Sequence, residues 1–240
     1  MKNFQDDIVK IFNKLKANEY FAFSKYADGE FSILEGRHID LTNKANGEFK
    51  YEPNSNDEFA RKCLMDSYTY SHSDYYVGIG CPCCMGEQAF AAMKIMSKQN
   101  ESNLTWANIF VNANYPYYVK KIIPEYKNHK IILIANYKAN INCLPFKVEK
   151  HFKVGTNAWK DDISVVDNIK KYITANDIKD CVFLFCAGPL GNILAHKLHE
   201  HRKENFYLDV GSTLDPFMGL GGTRGYHIGA STIRKVCVWG

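Results

Sequence analysis

Cys181-Val182-Phe183-Leu184-Phe185-Cys186-Ala187-Gly188-Pro189-Leu190-Gly191-Asn192 decides the fold of this chain. Six apolar residues without alternation read as a strand buried on both faces, as in parallel sheets covered by helices on either side. The glycine-bearing turn leads into a helix predicted over residues 192–202, and a further strand follows at 206–210. Such a turn presents backbone N–H groups and a positive helix end, which suits a phosphate. It equally suits plain packing, since glycine lets a helix sit close to its strand. Asp209 falls twenty-one positions after Gly188, near where dinucleotide folds place a ribose-binding carboxylate. The Gly-x-Gly-x-x-Gly fingerprint is absent, which argues against a nicotinamide cofactor.

Working outward, the same alternation fills the chain. Phe4, Ile8, Ile11, Phe12 and Leu15 share one face of a helix at residues 3–18. Strands are predicted at 21–24, 75–79, 106–111, 130–135 and 152–154. Helices are predicted at 30–34, 57–71, 86–98, 117–123 (stopped by Pro124) and 161–175. Ser55 and Glu58 have the spacing of a capping box before the helix at 57. Residues 36–54, polar and holding Gly47 and Pro53, read as a surface excursion. Strands alternating with helices predict an α/β fold: one Rossmann-like domain over residues 1–240, its sheet mostly parallel and covered by helices on both faces.

Bulk properties narrow the function. The 30 basic and 26 acidic residues are well mixed and sum to +4, with no basic stripe of a nucleic-acid reader. A mild positive potential favours an anionic small ligand. No apolar run approaches the ~18–20 residues of a membrane span. The acidic opening residues Asp6 and Asp7 do not resemble a secretory signal, and eight sparse cysteines fit a reducing compartment, so a cytoplasmic protein is expected.

The apolar strand at 21–24 empties into Lys25-Tyr26-Ala27-Asp28-Gly29-Glu30. Two carboxylates around a glycine at a strand end can anchor a divalent cation whose other ligands are phosphate oxygens. The same tripeptide also suits a helix N-terminus and nothing more. Further on, Asp209-Val210-Gly211-Ser212-Thr213-Leu214-Asp215 offers acids and hydroxyls at another strand end, although Asp215-Pro216 can be simple turn chemistry. Residues 219–225, rich in glycine and carrying Arg224, read either as a lid over a phosphate or as a surface loop.

Taken together, Tyr26-Ala27-Asp28-Gly29-Glu30, Asn114-Tyr115, Ala187-Gly188-Pro189 and Leu208-Asp209-Val210-Gly211-Ser212 resemble the GT-D type glycosyltransferases. That family was first catalogued as a domain of unknown function. Its pattern is Arg/Lys-Tyr/Phe-Gly-Asp-Gly-Glu, then a strand ending in Gly-Pro before a helix, then Leu-Asp-(Ile/Val)-Gly. The similarity runs in that order over about residues 21–217. It implies transfer of a sugar from a nucleoside-diphosphate donor, UDP-glucose above all, to a glycan, glycoprotein or glycolipid acceptor, with Mn2+ or Mg2+. Carried over by position, Asp28 and Glu30 hold the metal, with Gly29 between them. Gly188 and Pro189 line the nucleotide pocket together with Asn114 and Tyr115, and Asp209, Gly211 and Ser212 lie at the cleft mouth. Glu87, Asp215 and His227 are the candidates for a general base. Ala27 stands where the family has glycine, which is tolerable if its φ is negative. The resemblance leaves room for a homodimer and for a binder without turnover.

Cys81-Pro82-Cys83-Cys84 supports a rival. It lies between a predicted strand and helix, where a thioredoxin-like Cys81/Cys84 pair belongs, and a helix N-terminus would make Cys81 reactive. Zinc is the weaker reading of the same thiols. Cys181 and Cys186 point to opposite faces of their strand, and His196, His199 and His201 read as solvated on a helix. Tyr115, Tyr117 and Tyr118, with Asn112 and Asn114, could shape a sugar site.

Overall fold

The computed structural model describes residues 2–43 and 48–240; Gly47 of the expected excursion lies outside the described residues. Helix α1 (Phe4–Lys16) begins at Asn3, whose side chain accepts from the N–H groups of Gln5 and Asp6, and buries Phe4, Ile8, Ile11 and Leu15. It is followed by β1 (Ala22–Lys25), α2 (Asp28–Leu34), the short strands β2 (Ile39–Asp40) and β3 (Lys50–Tyr51), and α3 (Glu58–Thr69). Then come β4 (Tyr75–Ile79), α4 (Pro82–Met85), α5 (Glu87–Ser97) and β5 (Leu104–Trp106). A helical run comprises α6 (Tyr115–Tyr117), a π turn (Tyr118–Ile122) and α7 (Ile123–Glu125). The chain continues through β6 (Lys130–Asn136), β7 (Val148–Val154), α8 (Ala158–Asp161) and α9 (Val165–Ala175). It closes with β8 (Cys181–Cys186), α10 (Pro189–His201), β9 (Phe206–Asp209) and a 3-10 helix at Gly211–Met218.

Seven strands form one sheet in the order β5-β4-β1-β9-β8-β6-β7, and every pairing is parallel. The expected α/β class therefore holds, with the sheet wholly rather than mostly parallel. The chain builds from β1 outward to β5, crosses to β6, and returns to lay β9 beside β1. Ligand crevices in such sheets form outside the carboxyl ends of strands where the winding reverses, which here means the ends of β1, β9 and β8.

Side-chain alternation along β1 divides the two helical layers. Ser24 takes a 3.0 Å hydrogen bond from Asn192 of α10, while Phe23 meets Phe110 edge-on at 5.2 Å on the opposite face. On that second face Phe110 packs on Tyr118, and Phe12 of α1 packs on Tyr117. β1, β6, β8 and β9 are buried along nearly their whole length.

Several sequence expectations are corrected. β5 runs over Leu104–Trp106, where a strand over 106–111 was expected, and Asn103 just before it donates to the carbonyls of His72, Ser73 and Tyr75. Ile109 and Phe110 are buried in the loop that follows. The Ser55–Glu58 box does not form: Ser55 accepts from Asp57, and Glu58 instead accepts from the Tyr51 hydroxyl at 2.5 Å. Pro124 does not stop its helix, since the preceding π turn absorbs the lost donor. The expected helix at 161–175 is two, α8 and α9. β7 is longer than the three residues expected, because its charges, tolerated at the sheet edge, interrupt the apolar run that marks a strand. His196 and His199 are not solvated. They are 4% and 0% exposed, hydrogen-bonded to Ser67 and Tyr70, and burial pulls their pKa values down to about 3 and about 4. Among the described residues no helix is long and apolar enough to cross a membrane.

Candidate active site at the carboxyl edge of the sheet

β1 ends at Lys25, and α2 begins three residues later at Asp28. Ala27, the residue before the helix, has φ −97°, a negative φ that alanine adopts without strain. Glu30 turns back to accept from the Ala27 N–H at 3.0 Å, satisfying one free donor of the helix start. Glu30 is 4% exposed. Asp28 is exposed, and its carboxylate takes no hydrogen bond from any described residue. The helix-start reading of this tripeptide thus holds for Glu30, and Asp28 is left as an open carboxylate.

Lys25 was not among the expected site residues, yet it lies at the centre. Its side chain runs across Gly211, where a β-carbon would come within 2.5 Å of Lys25 Cε. Burial opposes its charge, but the neighbouring Asp209 and Glu30 carboxylates outweigh this and raise its pKa. Asp209 is 1% exposed and accepts from the backbone N–H groups of Lys25 (3.4 Å) and Gly211 (3.2 Å). Burial pushes its pKa up to about 7, against the opposing pull of Lys25. Asp209 therefore sits beneath Lys25 and does not line the cleft; the ribose-binding role its spacing suggested has no access. The sequence signal for Lys25 was the Arg/Lys position of the resembled pattern, three residues before Asp28.

The expected surface excursion is instead a hairpin, β2 against β3, folded over this edge. Asn157, in the left-handed region at φ 57°, accepts from the Lys50 N–H at 3.0 Å and donates its own N–H to the Glu48 carbonyl. Trp159 donates to the Lys50 carbonyl, and Lys160 pairs with Asp57 at 2.7 Å. So anchored, the hairpin lays Phe49 on both glycine turns. A β-carbon at Gly29 would come within 2.6 Å of the Phe49 ring, and one at Gly188 within 3.3 Å. Gly188 also needs its φ of 55°. The two glycines that the motifs single out are thus the seat of one aromatic ring.

The resulting cleft has two lobes. Gly188, Pro189, Asn157, Asp215 and Thr223 line the first. Asp28, Gly29, Asn108 and Tyr226 line the second. Lys25, Glu30, Glu48, Phe49, Ser212 and Arg224 border both. Arg224 bridges them, donating to Glu48 at 2.7 Å and to Ser212 at 3.3 Å. The lobes enclose about 160 Å³ and about 300 Å³. A small-molecule site commonly needs ~300–1,000 Å³, so a nucleotide-sized ligand would draw on both. Asp215 takes a 3.1 Å bond from Thr223, and burial raises its pKa to about 6 despite that bond and Arg224.

Other candidates lie elsewhere. Glu87 is exposed at the start of α5 and outside the cleft, and His227 meets Tyr226 edge-on at 4.4 Å and Tyr115 at a tilt at 5.7 Å. Asn114 donates to the carbonyls of Phe4 and Ile109, and the Tyr115 hydroxyl to that of Thr213, so both hold the fold behind the site. Tyr118 is fully buried, Tyr117 packs on Phe12, and Asn112 bonds Cys237, so the expected sugar platform is core. Ser212 and Gly211 line the cleft.

Three solved structures match the chain over nearly its full length. One is described as the highly conserved domain of unknown function 1792 with a distinct glycosyltransferase fold. It is 14% identical, with a TM-score of 0.62, covering 95% of this chain and 83% of that one. This chain has that fold. A new glycosyltransferase of the same domain from Streptococcus sanguinis matches at 12% identity and TM-score 0.61, covering 93% and 84%. A selenomethionine structure of the domain matches at 14% and 0.61, covering 95% and 83%. No protein-family model matches the sequence, and no curated protein does.

Two clusters of at least three potential metal ligands occur among the described residues, and neither includes Asp28 or Glu30. A cation at the Asp-x-Glu motif would therefore have at most these two protein carboxylates, one already capping Ala27. That suits a hard ion that keeps waters and takes phosphate oxygens.

Proposed function

We propose that the chain is a glycosyltransferase moving a sugar from a nucleoside-diphosphate donor, a UDP-sugar in the first instance, to a glycan or glycoconjugate acceptor. One observation carries the reading: Asp28, Glu30, Lys25, Arg224 and the amino end of the thirteen-residue α10 converge on one cleft at the sheet's carboxyl edge. That mixture suits a diphosphate, which needs positive groups around its oxygens and a cation between them.

Asp28 and Glu30 would hold Mn2+ or Mg2+, which when bound would offset the charge that develops on the leaving diphosphate. Lys25 and Arg224 add fixed positive charge to the same oxygens, and Asp209 positions Lys25 from below. The first turn of α10 contributes its dipole to the nucleotide side. Asp215, a half-buried carboxyl with its pKa raised to about 6, is the base that would take the acceptor's proton at neutral pH.

Calorimetry of the purified chain with UDP, with and without Mn2+, tests the reading. Mn2+-dependent binding that is lost in Glu30→Gln supports it, as does sugar transfer on a panel of acceptors. Binding without turnover on any donor would reduce it to a nucleotide-sugar binder. Absence of binding to any nucleoside diphosphate would overturn it.

A further inference from the structure

Cys81, Cys83 and Cys84 leave the end of β4 in a single turn, with Cys81 directly before the four-residue α4 and the Cys84 and Met85 N–H groups folded onto its carbonyl. The chain returns to this turn 153 residues after Cys84 and places Cys237 against it. The four Sγ atoms all lie within 4.8 Å of one another; Cys81 to Cys83 is 3.2 Å and Cys84 to Cys237 is 4.0 Å. Four thiolates around one tetrahedral ion, each at ~2.3 Å, stand about 3.8 Å apart. The cluster spans that separation, and it is tighter than the spread an iron–sulfur cube imposes on its four cysteines.

We propose that Cys81, Cys83, Cys84 and Cys237 bind a single zinc ion as four thiolates. Soft sulfur donors in a tetrahedral set select zinc, and four protein ligands leave no open position, so the site is structural rather than catalytic. Binding releases the four thiol protons and leaves a net charge of −2 on the zinc–thiolate group. The surroundings meet that charge. Asn108 and Asn112 each direct an amide N–H to a cluster sulfur at 3.4 Å, on Cys84 and Cys237 respectively. The Lys235 ammonium sits beside the turn, donating to the Cys83 carbonyl at 2.8 Å. Such outer partners orient thiolates and stabilise their charge. The other three-ligand cluster, His72, Asp74 and His199, lacks this logic, since the Lys203 ammonium stands 2.7 Å from His72 Nε2.

The zinc would fasten residues 235–240 across the sheet edge. Their other ties are hydrogen bonds from the Ala113 N–H to the Lys235 carbonyl, Trp106 Nε1 to the Val238 carbonyl and Trp239 Nε1 to Glu101, and the packing of Trp239 on Trp106 and Phe90. Asn108 also lines the Asp28 lobe, so the same clamp would brace one wall of the cleft.

The test uses the full chain, purified anaerobically under reducing conditions without a histidine tag. Elemental analysis should find one zinc per chain, and native mass spectrometry should find it bound as one ion. After removal by chelator, Co2+ should restore the site with an intense thiolate-to-cobalt charge-transfer band and the visible bands of a tetrahedral centre. Cys237→Ser should weaken cobalt binding by more than the ~10- to 100-fold typical of losing an outer partner, Asn112→Ala by about tenfold, and Cys143→Ser not at all. If Cys237→Ser fails to fold, the wild-type cobalt spectrum still decides. A wild-type chain that keeps no zinc and gives no charge-transfer band overturns the proposal, as does a spectrum that Cys237→Ser leaves unchanged. So does a disulfide among these four cysteines that persists under reductant.

Discussion

Two turns at the same edge of the sheet follow neighbouring, parallel-paired strands and behave oppositely. After β1, Asp28 faces open space, unpartnered among the described residues, while Glu30 is buried against the Ala27 N–H and Phe49 is seated on the glycine. After β4, Cys81-Pro82-Cys83-Cys84 turns its thiols on one another and on a fourth thiol from residues 235–240. The first turn leaves a carboxylate open to the cleft, whereas the second gathers its thiols within reach of a single ion. Strand-end position alone therefore does not mark a catalytic turn; what decides is whether the side chains converge on space or on each other.

The largest expected effect lies on the open side. Glu30→Gln, which spares the shape of the cap, should lower turnover by about 100- to 1,000-fold by weakening the hold on the cation, the scale of losing one preorganised stabiliser of a developing anion. A variant retaining near-wild-type turnover would break the comparison. Asp215→Asn should cost about 100-fold or more in kcat. In the wild type, kcat should fall on the acid side with a midpoint near pH 6, set by this carboxyl, and that limb should vanish in the variant.

Next is the Lys25–Asp209 pair beneath the cleft. Lys25→Met leaves a buried carboxylate without its cation and should destabilise the fold by about 3–5 kcal/mol at pH 8, with Lys25→Met/Asp209→Asn recovering most of it. Because the Asp209 pKa rises on folding, its contribution to stability is complete below its unfolded value near 3.8. It is lost as the pH climbs through about 7. Lys25, also raised, keeps its contribution until the pH exceeds its unfolded value of 10.5, so it does not mask that window. Urea midpoints at pH 4 and pH 8 should therefore differ in the wild type, and the difference should shrink in Asp209→Asn.

Smaller effects sharpen the contrast. Gly29→Ala must displace the Phe49 ring and should cost about 1–3 kcal/mol, with Phe49→Leu restoring part of it in the double variant. Cys81→Ser, on the closed side, should lower the melting temperature yet keep kcat at 25 °C within about threefold, less than 1 kcal/mol of barrier. A tenfold or greater fall in kcat there would instead favour the thiol chemistry that Cys81/Cys84 could carry.

What the sequence discloses follows the range of the contacts. β4 and β8 are legible to the residue because apolar runs bounded by glycine and charge are local signals. Asp28, Glu30, Gly188 and Ser212 are legible because each ends a strand or starts a helix. The hairpin was not, since Phe49 is one apolar residue in a polar tract, and its partners are glycines 20 and 139 positions away. Cys237 was invisible for the same reason, with its sister thiols 153 or more positions earlier. β5 was displaced because Ile109 and Phe110, buried in a loop, mimic a strand. His196 and His199 misled because helical spacing does not say which neighbour covers a face.

The three tryptophans divide along the same line. Trp106 and Trp239 meet edge-on at 4.9 Å beside the thiol cluster, while Trp159 lies buried under the hairpin with its indole N–H on the Lys50 carbonyl. The molecule thus carries a separate optical reporter at each of its two turns. With Trp159→Phe in place, emission should report the docking of residues 235–240. With Trp106 and Trp239 both replaced by phenylalanine, it should report movement of the hairpin over the cleft.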